Sequence, residues 1–64
     1  MFDFKERLVA EHSELVERMY KLREFLWGDT FNSLENKHKQ LLIEQLAHMQ
    51  GYESVLAYRL SLLV

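Results

Sequence analysis

Two stretches of apolar residues at helical spacing, separated by one short polar break, organise this chain. In the first, Leu8, His12, Leu15, Met19, Leu22 and Leu26 recur in alternating steps of four and three. Such spacing draws one continuous stripe along a helix, close to a coiled-coil seam. A second stripe follows Val9, Val16, Tyr20 and Trp27, and charged residues fill the remaining face. Glu14–Arg18 and Glu17–Lys21 sit at i,i+4 with the acid first, an arrangement worth about 0.3–0.5 kcal/mol each. The first helix is therefore expected over residues 3–27.

The break is Gly28-Asp29-Thr30-Phe31-Asn32-Ser33. Gly28 suits a helix-ending position with positive φ, and Asn32 or Ser33 suits an N-cap, with Asn32 and Glu35 approximating a capping box. Phe31 precedes the cap and is placed to staple onto the next turn. A link of this length turns the chain back on itself, so residues 34–62 are expected as a second, antiparallel helix. Its stripes are Leu42, Leu46, Met49, Glu53, Leu56, Leu60 and Leu63, then His38, Leu41, Gln45, His48, Tyr52, Val55, Arg59 and Leu62. A third face carries only small residues: Ala47, Gly51, Ser54, Ala57 and Ser61.

Two helices touching along one seam leave most of their circumference in water, yet each carries more than one apolar stripe. The fold expected is all-α, one domain over 1–64: an antiparallel two-helix hairpin assembled into a homo-oligomeric bundle with binding sites between protomers. Size agrees, because chains this short bury only about 60% of their unfolded surface and usually need a staple. The chain has 64 residues and no cysteine, so disulfides and thiolate metal sites are excluded and oligomerisation is left. The apolar run Leu60–Val64 at the chain end also calls for a cover.

The net charge of −2 lacks the basic excess of a duplex nucleic-acid binder. Residues 1–32 hold five Lys/Arg against seven Asp/Glu, and residues 33–64 hold three of each. Met1-Phe2-Asp3-Phe4-Lys5-Glu6-Arg7 has neither the basic nor the apolar region of a signal peptide. No apolar run approaches the ~20 residues of a membrane span. A cytoplasmic protein without membrane contact is expected.

Candidate chemistry is sparse. His12 lies in the middle of the first apolar stripe, either as a hydrogen-bonded seam histidine or as a ring that stacks on a ligand. Glu44–His48 has i,i+4 spacing where the di-iron bundle motif is i,i+3, and no other histidine pair fits, so no metal is expected. Ser13, Ser33, Ser54 and Ser61 lack the context of a nucleophile, and neither catalysis nor a cofactor is expected. The turn end is more suggestive. Lys37, His38 and Lys39 open the second helix where its free amides favour anions. Lys21 and Arg23 come from the end of the first, and Phe25, Trp27 and Phe31 add planes on which bases stack. Glu53 and Arg59 interrupt apolar stripes, and a buried charge must be paired; partners across a subunit interface, or an anionic ligand on Arg59, are expected.

Nearly the whole chain resembles a family of very small phage proteins. The residues concerned are Glu6-Arg7-Leu8-Val9-x-Glu11, Glu14-Leu15, Lys21-Leu22-x-x-Phe25-Leu26, Phe31-x-x-Leu34, Leu41-Leu42-x-x-Gln45-Leu46-x-x-Met49-x-x-Tyr52 and Leu56-x-x-Arg59-Leu60. They are similar to the anti-CBASS sponges, which sequester cyclic di- and trinucleotide signals made by infected bacteria. The resemblance implies a hexamer of helical hairpins with pockets between protomers, acting in the cytoplasm of the infected host by binding alone. It aligns His12 with a base-stacking aromatic. It aligns Trp27 with a phosphate-binding lysine, a departure for which Lys21, Arg23 or Lys37 substitutes. Thr30 falls where the loop makes a polar contact, and Arg59 matches a basic residue near the end of helix two. Rival readings are a protein-interaction module that inhibits a host protein, a virion assembly protein, and a small DNA-associated regulator.

Overall fold

The protein is a helical hairpin in the computed structural model, which describes residues 3–63. Met1, Phe2 and Val64, the ends of the N-terminal segment and of the apolar C-terminal run, lie outside the described residues. Helix α1 spans Phe4–Leu26, a single turn α2 spans Asp29–Asn32, and α3 spans Asn36–Ser61. There is no strand among the described residues. Asp3 caps α1, its carboxylate accepting the Glu6 amide at 2.7 Å, which satisfies one of the free donors of the first turn.

The two apolar seams identified by their four–three spacing face one another. Leu8, Leu15, Met19 and Leu56 form the buried core, with Leu46, Met49 and Leu60 packed against it. Leu56 is wholly enclosed, at 0% exposure. The arrangement is that of an antiparallel hairpin, in which residues at equal depth from the turn share a layer. Glu17 and Lys21 pair at 3.3 Å on the outer face of α1; no ion pair joins Glu14 to Arg18 among the described residues.

The turn differs from its expected form in three respects. Gly28 has φ −91° rather than a positive value. Helix α1 closes with tighter i→i−3 bonds, Trp27 N–H to the Glu24 carbonyl at 3.2 Å and Gly28 N–H to Phe25 at 3.1 Å. Those bonds satisfy the final carbonyls without a left-handed residue, and Gly28 instead precedes α2 as its N-cap. Asn32 and Ser33 cap nothing at the start of α3. Asn32 ends α2, and the Ser33 hydroxyl donates back to the Thr30 carbonyl at 2.7 Å. The residue before α3 is Glu35, in extended conformation with no side-chain cap bond. The capping box of Asn32 and Glu35 is therefore absent, and α3 starts at Asn36. Phe31 stays at the tip, edge-on to Phe25 with ring centres 6.5 Å apart.

The hairpin is long and thin, 44 × 19 × 15 Å with a radius of gyration of 14.7 Å, where a compact chain of this length would have about 11 Å. Val9, Val16 and Tyr20 on α1, Leu41, Tyr52 and Val55 on α3, and Leu62 at the C-cap of α3 all remain exposed. Gly51 stands in the open, with nothing within 4 Å of an added Cβ. Gly51→Ala is accordingly expected to stabilise the isolated protomer by about 1 kcal/mol through helix propensity. Thermal unfolding of dilute protein, followed by helical circular dichroism, measures it; a loss of stability would mean that another chain packs on this position.

Candidate functional site

Three places along the hairpin hold the residues with chemistry. The first is the seam itself. His12, between Leu8 and Leu15, meets Glu53, between Met49 and Leu56, with Nε2 and Oε2 2.8 Å apart and side-chain exposures of 25% and 29%. The partner of Glu53 is thus within its own chain rather than across a subunit boundary. Layer counting would have found it. Each polar interruption falls in the same layer from the turn, so antiparallel packing brings the two together. The pairing holds one ring nitrogen of His12 and leaves an edge of the imidazole at the surface.

The tip is the second. Trp27 ends α1 and is 90% exposed, a large aromatic plane with almost nothing against it. Lys39 lies over the Phe31 ring, its ammonium 5.8 Å from the centroid, so the attraction of cation for ring holds it at the tip. Lys37 lies in the first turn of α3, where no acidic residue stands. Thr30 lies within α2, its carbonyl accepting both the amide and the hydroxyl of Ser33. On α1, Lys21 is held by Glu17, and Arg23 is two residues on, about 200° round the helix from Lys21. Both therefore cannot serve one pocket of a single protomer. Nearby, the Glu24 carboxylate raises the Tyr20 phenol above its ordinary pKa, by hydrogen bonding first and by its charge second.

The third place is the outer flank of α3. Leu41, Glu44, Gln45, His48, Met49 and Tyr52 line an open groove of ≈ 430 Å³. The sequence places Leu41, Gln45, His48 and Tyr52 on one stripe and Glu44–His48 at i,i+4, a pair weighed there only as a metal motif; polar tips at i,i+3 and i,i+4 beside apolar residues are the signal of the groove. Further along, the Arg59 guanidinium lies over the Phe4 ring, 5.6 Å from its centroid. Arg59 is exposed and engaged by an aromatic face, not by a buried acid.

Within one protomer, then, His12, Lys21, Arg23, Trp27, Thr30, Lys37 and Arg59 do not converge. His12 lies about 22 Å along α1 from Trp27, and Arg59 lies beside Phe4 at the opposite end of the hairpin from the tip. No group of three His, Cys, Asp or Glu side chains close enough to hold a metal occurs among the described residues, and no helix is long and apolar enough to cross a membrane.

These features define a small helical hairpin, with one polar pair in its seam among the described residues and wide unburied flanks. The Sequestin family model matches residues 3–62, and the chain belongs to the Sequestin family. The family name denotes sequestration, a function of binding rather than of catalysis. No curated protein and no solved structure matches the chain.

Proposed function

We propose that this protein is a phage-type immune-evasion sponge, a homo-oligomer, hexameric by the family resemblance, that binds cyclic di- or trinucleotide messengers in pockets between protomers. It acts in the cytoplasm of the infected bacterium and starves the messenger's effector without chemical change. Membership of the Sequestin family over residues 3–62 is the observation that carries this reading. The placement of aromatics and cations supports it. A cyclic oligonucleotide presents flat bases and closely spaced phosphates, and needs aromatic planes and cations together. A lone hairpin carries Lys21, Arg23, Trp27 and Lys37 toward its tip and Arg59 beside Phe4 at the other end, so a pocket that uses both groups needs a second protomer.

Trp27 is the residue assigned to base stacking at the tip, Lys37 and Arg23 to phosphate, and Thr30 to a polar contact. His12 can offer only the edge that Glu53 leaves uncovered. The overall charge of −2 is compatible with a small dianion, which meets a local cluster, where it would oppose a long polyanion.

Native mass spectrometry of the protein, alone and with a panel of cyclic di- and trinucleotides, tests the proposal. Ligand mass gained in whole steps per oligomer is expected. Trp27→Ala should weaken binding about 5- to 150-fold, the worth of one stacked base, without changing the fold, because the indole packs on almost nothing. An oligomer that takes up nothing from the panel would overturn the sponge. The exposed row Val9, Val16 and Tyr20 would then favour the protein-interaction module, in which an apolar face seats on a host protein.

A further inference from the structure

We propose that the outer flank of α3 is where a second copy of this chain docks, antiparallel, about a two-fold axis passing beside Tyr52. The inference rests on the homo-oligomeric part of the reading above and not on its ligand. Three observations lead to it.

The first is area. A compact monomer of 7.7 kDa exposes about 4,300 Å², whereas this hairpin exposes 5226 Å². The surplus of about 900 Å² is close to the ~800 Å² that each partner contributes to a standard interface.

The second is pattern. Leu41, His48, Val55 and Leu62 recur every seven residues on one flank, and Tyr52 stands midway. That is the period of a helix–helix seam, and no helix of the protomer fills it: Leu41, Tyr52, Val55 and Leu62 are all exposed.

Charge is the third, and it sets the orientation. Glu44 and Arg59 lie at equal distances, about 11 Å, on either side of the point between Gly51 and Tyr52. Leu41 and Leu62 lie about 16 Å either side of the same point. A two-fold axis there sets Glu44 against the partner's Arg59 and Leu41 against the partner's Leu62, each twice. Tyr52 meets the partner's Tyr52 on the axis, a self-pairing aromatic anchor. Parallel docking in register would instead set Glu44 on glutamate and Arg59 on arginine, so the charges select the antiparallel arrangement. The Arg59 guanidinium lies over the Phe4 ring, its carbon 5.6 Å from the centroid, and no carboxylate among the described residues forms an ion pair with it, so its N–H donors stay available to a partner's carboxylate.

Sedimentation equilibrium of Glu44→Arg, Arg59→Glu and the doubly swapped protein tests this interface. Each single swap sets like charges together twice and is expected to raise the dissociation constant of the pair about a hundredfold. The double swap is expected to restore it to within about threefold. Val55→Arg, which puts a charge into the apolar seam, should dissociate the pair without that rescue. All three residues are exposed in the protomer, so helical content should hold throughout. Association indifferent to every one of these changes, or a double swap no better than the singles, overturns the interface and leaves the sponge reading standing. A chain that stays monomeric at every concentration overturns both.

Discussion

Leu56→Ala should lower stability by about 2–5 kcal/mol and, at room temperature, leave much of the protein unfolded. Leu56 is the one wholly enclosed side chain among the described residues, and Leu8, Leu15 and Met19 complete its core. Removing its branched end leaves a void that a thin hairpin can close only by collapsing α3 onto α1. That motion would draw the His12–Glu53 layer, three residues away, out of register. A chain of this length has a total stability of roughly 3–10 kcal/mol, so one cavity can consume most of it. Urea denaturation followed by helical circular dichroism gives the number. The control is Leu62→Ala, whose side chain is 66% exposed and should change protomer stability by less than about 0.5 kcal/mol. If both truncations cost the same, the hairpin seam is not the core that holds the fold.

The seams were legible in the sequence because helical periodicity is a geometric constraint: only residues three and four apart can share a face. The stripe from Leu8 to Leu26 and the stripe from Leu42 to Leu60 meet as that spacing requires. The flank stripes were legible as apolar rows, and they stay exposed in the protomer for the reason that made them excessive, namely that one seam cannot bury them. The turn was misread because its signals are ambiguous one residue at a time. Gly28 permits a positive φ without requiring one, and an extra turn of helix between Asp29 and Asn32 uses Asn32 and Ser33 in ways that their capping propensity does not distinguish. The site was the least legible part. Trp27, Lys37 and Arg59 stand out by residue type alone, and within one protomer Arg59 lies beside Phe4, at the other end of the hairpin from Trp27 and Lys37. Glu53 was recognised as a charge in an apolar row; its partner required the register between helices, which only the layer count supplies.

That layer leads to the second large effect. His12→Leu or Glu53→Leu alone should destabilise the protein by about 1–3 kcal/mol, since each leaves the other half-buried polar group without its hydrogen bond. His12→Leu and Glu53→Leu together should recover that loss and end at or above the stability of the natural chain, because leucines continue the seam on both sides. The cycle isolates the pair from the packing around it. A double variant as unstable as the singles would show that the layer is shaped for imidazole and carboxylate and not merely tolerant of them. The recovered variant should lose something else. With the polar layer gone, every layer of the seam is alike, and α3 can slip by a turn against α1 at small cost, as uniform apolar seams do. Amide resonances of α3 should then appear as more than one set. Glu53→Gln separates this fastening from any work that His12 does on a ligand. The amide keeps a hydrogen bond to the ring and should hold register and most of the stability. It removes the negative charge beside the imidazole, so a change in cyclic-nucleotide affinity at unchanged stability would place His12 in the pocket, and unchanged affinity would leave it as the fastening alone.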